Sequence, residues 1–317
     1  MECGKVITIR KFYKGLMKKY AAIDIGSNAI RLLIVSVFSN TTRKQYSKIS
    51  LVRVPIRLGS DVFVDAKISK KKISLLINAL KSFKILMSIY KVDKYKICAT
   101  SAMREATNSK KIIQKVLDNL QLNINIISGK EEASIISNVF VKKYTQYNNL
   151  LYVDVGGGST ELSIINNGSI IACKSFKIGT VRMINNLIPN KLWFEYEKWI
   201  RTKTVDYDNI FIIASGGNAN KLLKISKNKA GEPISINFLK NIYDNLKSHT
   251  FEERVLKLKL HPDRADVIIP ATEIYIRSMK FSNSKQIIIP RIGLADGIIR
   301  KIDSINEYGD LLSKLKD

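Results

Sequence analysis

The chain has 317 residues, 45% of them hydrophobic and 25% charged, an ordinary globular composition at a length that suggests about two domains with sizeable cores. Lys and Arg number 53 against 27 Asp and Glu, a net charge of +26, which excludes an acidic tail or an acidic solvating protein and invites a polyanionic partner. Arg, the better bidentate phosphate ligand, supplies only 13 of the 53 basic residues, and abundant Lys, Ile and Asn share A/T-rich codons, so genome composition competes with function as the source of the excess.

Residues 1–16 hold no apolar run long enough for a signal-peptide core or a membrane span. A second methionine, Met17, stands directly before the first strand-like run, so residues 1–16 read as an extension, either disordered or a mis-assigned start. Cys3, Cys98 and Cys173 are odd in number, widely spaced and without a CxxC, which fits a reducing cytosol and argues against disulfides or a zinc site. His249 and His261 form no metal-ligand pair.

From Met17 onward, runs at 20–25 and 30–38 read as strands joined by the turn Gly26-Ser27-Asn28, and 46–58 continues the strand pattern. Residues 69–91 carry apolar side chains at helical spacing behind an N-cap, Ser69. A strand at 94–100, a helix over 101–120, a strand at 123–128 and a helix over 129–146 follow. Then the pattern restarts: strand 150–155, turn 156–160, strand 161–165, hairpin turn Asn166-Asn167-Gly168, and strand 169–178. The remainder reads as a helix over 179–203 broken near Pro189, a buried strand at 209–215, a helix opened by Gly216-Gly217, helices over 237–260 and 265–281, a strand at 287–293 and a terminal helix from 294 to 317.

The restart carries the most information. Asp24 and Asp154 each end an apolar strand, and AAIDIGSNAIRLLIV aligns with LYVDVGGGSTELSII so that Gly26 meets Gly156 and Leu32 meets Leu162. An internally duplicated βββαβα unit follows, giving an α/β protein whose halves face each other with both Asp-x-Gly turns at the cleft. Such turns present backbone N–H groups as an anion-binding nest, and glycine permits close approach or φ > 0. Ser27, Asn28, Ser159 and Thr160 add side-chain donors, so two opposed turns would clamp a phosphoryl group. Asp24 and Asp154 would hold Mg²⁺, directly or through water.

Two further segments stand near this chemistry. In SGKEEA (128–133), Glu131 and Glu132 begin a helix; they either favour the helix dipole or one of them activates water as a general base. Arg104 opens a helix after a strand and either contacts phosphate bidentately or pairs with a nearby glutamate.

DIGSN (24–28), ATSAMREA (99–106), IISGKEEA (126–133), DVGGGSTEL (154–162), SFKIGTVRM (175–183), ASGG (214–217) and RADVIIP (264–270) occur in that order. Together they resemble the exopolyphosphatase / guanosine pentaphosphate phosphohydrolase (Ppx/GppA) family, of the actin-like ATPase and sugar kinase superfamily, from about residue 21 to 299. The resemblance implies two ribonuclease-H-like domains across an interdomain cleft: 17–126 with the C-terminal helix at about 298–317, and 127–297. It implies Glu132 as general base, Asp24, Asp154 and Glu161 as Mg²⁺ or water ligands, and Arg104 on a substrate phosphate. Gly26, Ser27 and Asn28 would form one phosphate loop, and Gly156, Gly157, Gly158, Ser159 and Thr160 the other. Gly216 and Gly217 fall where the superfamily meets a nucleotide base.

There are departures. Ala29 replaces a usual hydroxyl residue after DIGSN, Asn218 follows Gly216-Gly217 in place of Thr, and PRIGLADG (290–297) differs from the commoner Gly-Leu-Arg-Glu-Gly ending. The expected activity is Mg²⁺-dependent release of orthophosphate from inorganic polyphosphate by a cytoplasmic enzyme, with pppGpp as the alternative substrate and a homodimer implied by the resemblance. Lobe closure about 127–150 and the C-terminal helix would exclude water. A weakly active nucleotide-binding regulator is the rival of a different class; a sugar kinase is disfavoured because no sugar-binding insert is visible. Direct nucleic-acid or membrane binding has no motif behind it.

Overall fold

The structure, a computed structural model, describes residues 17–39, 44–141, 144 and 146–314. The extension at 1–16, with Cys3, lies outside the described residues, as do the last three residues of the expected terminal helix.

The first half comprises β1 (Met17–Ile25), β2 (Ile30–Ser39), β3 (Lys44–Val54), α1 (Gly59–Asp65), α2 (Lys70–Ile89), β4 (Lys94–Ala99), α3 (Ser101–Glu105), α4 (Ser109–Leu120) and β5 (Ile124–Ile126). Its strands lie in the order β3-β2-β1-β4-β5, with β1 antiparallel to β2 and parallel to β4. After α5 (Gly129–Val141), the strands β6 (Asn149–Val155), β7 (Thr160–Asn166) and β8 (Ser169–Phe176) repeat the antiparallel triplet. Helices α6 (Thr180–Ile184) and α7 (Asn190–Thr204) lead to β9 (Phe211–Ser215), which lies parallel to β6. The chain ends with α8 (Gly217–Ser226), β10 (Pro233–Ser235), α9 (Ile236–Lys247), α10 (Phe251–Leu256), α11 (Pro262–Ala265), α12 (Ile268–Phe281), β11 (Gln286–Ile288) and α13 (Leu294–Lys314). The second sheet runs β10-β11-β9-β6-β7-β8. The expected duplication is therefore visible as two sheets with matched order around β1 and β6, the two-unit α/β fold that the motifs imply.

The central strands are buried on both faces, which is why Tyr20–Ile25 and Leu150–Val155 read as nearly continuous apolar runs. In each run the aspartate sits at the carboxyl end, where the strand leaves the core. Ser69 caps α2 by accepting from the Lys72 amide at 3.4 Å, and the helix buries Leu76, Leu80, Phe83 and Met87 against the first sheet. The last helix packs on β1, β2 and β4 and crosses α5 closely: a Cβ at Gly297 would lie 2.6 Å from the Ile135 carbonyl oxygen.

Several expected elements are shorter or divided. The strand expected to 58 stops at Val54, because Pro55 cannot extend a ladder. The helix expected over 101–120 splits at 106–108. There the Thr107 amide donates to the Ala66 carbonyl at 2.9 Å, and the Asn108 side chain brackets Ile68, accepting from its amide at 3.1 Å and donating to its carbonyl at 2.9 Å. The strand expected at 123–128 shrinks to Ile124–Ile126. The short helix α1 and strand β10 carry no periodic signal that predicts them. Cys98 is buried and Cys173 half-buried, both free thiols. Among the described residues no helix is long and apolar enough to cross a membrane.

Candidate active site

Both Asp-x-Gly turns leave the carboxyl ends of the central strands and meet. Between them lies a cavity of about 90 Å³ lined by the two turns, Glu132, Glu161, Ser215–Asn218 and a set of arginines, room for a small polar group with its waters. The turns close alike: the Gly26 amide donates to the Ala29 carbonyl at 3.2 Å and the Gly156 amide to the Ser159 carbonyl at 2.9 Å. They also touch, since a Cβ on Gly157 would lie 3.0 Å from the Ser27 Cβ and 3.5 Å from the Asn28 amide nitrogen. Glycine is required here by close approach alone, for neither turn has a glycine at positive φ. Gly158 faces away from the cavity, against Phe63, with a Cβ there only 2.8 Å from the Ser101 hydroxyl.

The side chains expected as phosphate donors are largely engaged within the protein. The Ser27 hydroxyl hydrogen-bonds that of Ser101 at 2.8 Å, and the Asn28 amide group donates to the Asp263 carbonyl at 3.3 Å. The Ser159 hydroxyl donates to Glu161 Oε1 at 2.6 Å. Thr160 is fully buried and donates to the Ile178 carbonyl at 2.6 Å, so it anchors the strand end instead of facing a ligand. What the turns leave available is backbone: the amides of Ser27, Asn28, Gly157 and Gly158 donate to no backbone carbonyl among the described residues.

Four carboxylates converge on the cavity. Asp24, Glu132 and Glu161 are buried, and Asp154 sits beside them at the end of β6. Glu131, its neighbour's alternative, turns outward to Lys301 on α13 at 3.0 Å. Glu132 stays inside with its Oε2 unpartnered by any hydrogen bond, 3.7 Å from Arg104 Nη1. Burial, and then the charges of Glu161 and Asp154, hold the Glu132 carboxyl well above its ordinary range. Burial pushes Asp154 up to about 6. Glu161 rises to about 7 through burial and the charge of Asp154, despite accepting from Ser159 and from Ser175 at 2.9 Å. Asp24 is raised by burial, a rise moderated by Arg31, whose Nη1 donates to it at 2.7 Å.

Arginines face these acids. Arg104 donates to the Ile127 carbonyl at 2.6 Å and so reaches Glu132 across the joint between the halves. The glutamate beside it in sequence, Glu105, is instead taken by Arg182 at 2.6 Å and by Lys177 at 3.3 Å. Arg182 also donates to the Gly158 carbonyl at 2.8 Å and stacks 4.1 Å over Phe63, fixing the second turn to the first half. Arg31, Arg53 and Arg264 also line the cavity, Arg31 on Asp24 and Arg53 paired with Asp263. Arg264 donates to the Gly217 carbonyl, and burial beside Arg53 and Arg31 lowers it to about 10. Gly216 and Gly217, the expected nucleotide-base position, do line the cavity, but a Cβ on Gly217 would lie 3.0–3.1 Å from the guanidinium nitrogens of Arg264 and Arg31. That corner presents cations and no aromatic face.

These three arginines and Arg182 were not among the residues expected from the motifs. One signal was available for Arg31: it lies in register directly opposite Asp24 across the first hairpin. The donor set fits a hard divalent cation, because only oxygen ligands converge, one of them an orphaned buried carboxylate oxygen on Glu132, and Mg²⁺ uses one or two carboxylates plus waters and substrate phosphates. Among the described residues no three His, Cys, Asp or Glu side chains are grouped so as to hold a metal ion together, so a cation here would take one or two of these carboxylates and otherwise water and substrate oxygens.

The Ppx/GppA phosphatase family matches residues 37–304 of this chain. Among curated proteins, the bifunctional 3-dehydroquinate synthase/phosphatase of Fusobacterium nucleatum is 30% identical over 293 residues, 85% of this chain and 44% of that protein. The guanosine-5'-triphosphate,3'-diphosphate pyrophosphatase of Aeromonas hydrophila is 29% identical over 167 residues, 53% of this chain and 33% of that protein. The chain thus spans between a third and a half of the length of these relatives. Among solved structures, an exopolyphosphatase from Cytophaga hutchinsonii superposes with a TM-score of 0.79 at 20% identity, over 90% of this chain and 97% of that one, a likeness of fold.

Proposed function

Because the chain belongs to the Ppx/GppA phosphatase family, we propose that it hydrolyses the terminal phosphoanhydride bond of inorganic polyphosphate and releases orthophosphate. The observation that carries this reading is Glu132: a buried carboxylate with an oxygen that makes no hydrogen bond, lining the same cavity as the two turns and 3.7 Å from Arg104.

The terminal phosphate sits between the turns, accepting from the amides of Ser27, Asn28 and Gly157. Arg104 and the wall formed by Arg31, Arg53 and Arg264 offset the charge of the terminal and following phosphates. Water attacks the terminal phosphorus in line with the bridging oxygen and gives its proton to Glu132. The bridging P–O bond breaks, and the shortened chain leaves carrying the bonding pair as a terminal phosphate oxygen. A carboxylate raised above its ordinary range is a stronger base toward that proton near neutral pH. One or two of Asp24, Asp154 and Glu161, with waters and substrate oxygens, would hold Mg²⁺, which supplies charge neutralisation for phosphoryl transfer when bound. Polyphosphate is favoured over pppGpp because the Gly216–Gly217 corner is walled by guanidinium groups, which suit phosphates and offer no apolar slot for a purine.

Glu132→Gln is expected to lower phosphate release from long-chain polyphosphate by roughly 10²–10⁴-fold, with a melting temperature no lower than that of the wild type. Unchanged turnover in that variant would sink the assignment. Phosphate release from polyphosphate and from pppGpp, each with Mg²⁺ and with chelator, decides the substrate: release from pppGpp alone overturns the polyphosphate reading.

A further inference from the structure

A second cavity, of about 830 Å³, lies at the other end of α1 from the cleft, between the starts of α2 and α4. Four lysines line it, Lys67, Lys70, Lys111 and Lys115, against a single carboxylate, Asp65. All four are exposed, and none is held by a hydrogen bond or an ion pair among the described residues. The floor is isoleucine, and no aromatic residue lines the groove.

The walls are fixed before any ligand arrives. Thr107 and Asn108 tie the segment 106–108 to residues 66 and 68 through the backbone and side-chain bonds described above. With its side chain occupied in this way, Asn108 does not cap α4, so the first amides of that helix add partial positive charge at the same place. The stretch of sequence that supplies most of the groove is strongly basic, although Arg104 within it faces the cleft and Lys72 pairs with Asp61. Residues 67–115 hold thirteen Lys or Arg against two Asp or Glu, a net +11 out of +26. A uniform codon effect spreads charge evenly along the chain, and this distribution is far from even.

The ligand class follows from what the groove offers and what it lacks. Lysines are point-charge partners for phosphate. Single-stranded nucleic acid is bound through basic grooves interleaved with aromatic stacking platforms, and this groove has none. The distance from the cleft is short: the Gly59 amide, at the start of α1, donates to the Ser27 carbonyl of the first turn at 2.8 Å, and Asp65, at its end, lines the groove. Seven helical residues span roughly 10 Å.

We propose that this groove is a second binding site for inorganic polyphosphate, engaging a stretch of a long chain outside the catalytic cleft. The proposal rests on the polyphosphate reading above. It makes affinity for long chains depend on residues that never touch the reacting phosphate.

The test replaces Lys67, Lys70, Lys111 and Lys115 together by Gln in the full chain. In a Glu132→Gln background, direct titration with labelled long-chain polyphosphate is expected to show binding weakened by roughly tenfold or more, with tripolyphosphate binding unchanged. In the active background, KM for long chains rises by a similar factor while kcat and KM for tripolyphosphate stay as they were. Unchanged long-chain binding in the quadruple variant overturns the proposal. So does an equal loss for tripolyphosphate in a variant of unchanged melting temperature, and so does single-stranded RNA competing as well as polyphosphate. Lysine-dependent polyphosphate binding by a wild-type protein that releases no phosphate leaves the groove standing and fails the catalytic reading. Release of phosphate with lysine-independent binding does the reverse.

Discussion

The two Asp-x-Gly turns are built on the same hairpin, yet their aspartates face opposite charges. In the first hairpin Asp24 lies in register with Arg31; in the second, Asp154 lies in register with Glu161. The first turn thus neutralises its own carboxylate through a 2.7 Å ion pair. In the second, burial raises Asp154 to about 6, and burial with the charge of Asp154 raises Glu161 to about 7. The first copy thus supplies a cation to its own aspartate, while the second sets its aspartate opposite another acid, with Arg31 and Arg104 of the first half moderating the two. The two turns close alike, and one cross-strand residue, Arg31 in the first hairpin and Glu161 in the second, sets their charge apart.

The largest expected effect probes this division. Asp154→Asn and Glu161→Gln should each lower phosphate release by roughly 10²–10³-fold, the scale of losing a charge that positions or stabilises the reacting group. Asp24→Asn, whose charge is already balanced by Arg31, should cost only about tenfold on the same scale. Steady-state turnover on long-chain polyphosphate measures all three. An Asp24→Asn loss as deep as that of Asp154→Asn removes the proposed asymmetry.

A smaller effect, read in stability, sharpens it. In chelator at neutral pH the Asp154–Glu161 pair is a buried like-charge contact, so Glu161→Gln should raise the melting temperature by roughly 2–4 °C, corresponding to about 1 kcal/mol. Adding Mg²⁺ should stabilise the wild type by mass action, and Asp154→Asn or Glu161→Gln should abolish most of that gain. A wild type indifferent to Mg²⁺ removes the assigned ligand set, and a destabilised Glu161→Gln shows that the hydrogen bonds from Ser159 and Ser175 outweigh the repulsion.

The duplicated turns, the succession of strands around them and the Ser69 cap were legible in sequence because each is a local pattern: an apolar run, a glycine turn, an N-cap spacing. The arginine wall was not. Arg53 and Arg264 lie far apart in sequence and meet only because β3 and α11 face the same cleft. The break in the helix expected over 101–120 was equally hidden, since Thr107 and Asn108 are drawn off by Ala66 and Ile68, and such tertiary bonds override local propensity. Thr160 misled for a related reason. A hydroxyl in a glycine turn reads as a donor to a ligand, and only the packing of Ile178 shows where its proton goes. Of Glu131 and Glu132, adjacent acids on one helix, the choice required knowing that Lys301 of α13 covers the first.

The smallest effect tests how the unequal turns fit together. At equivalent positions the first turn carries Ser27 and the second the bare Gly157, and the Ser27 Cβ fills the space that a Gly157 side chain would need, with Val181 Cγ2 next nearest at 3.2 Å. Gly157→Ala should therefore destabilise by about 1–2 kcal/mol through overpacking. Ser27→Gly should cost something on its own, because it loses the 2.8 Å bond to Ser101. Combined, the two should be less harmful than their sum, since glycine at 27 makes room for alanine at 157. A double-mutant cycle in denaturant should yield a favourable coupling of roughly 0.5–1 kcal/mol. Additivity would mean that the turns do not interlock, and that the cleft is held shut by the Arg182–Glu105 pair and its neighbours alone. Coupling accompanied by a raised KM in Gly157→Ala, restored in the double variant, would tie that interlock to the spacing of the two nests around the terminal phosphate.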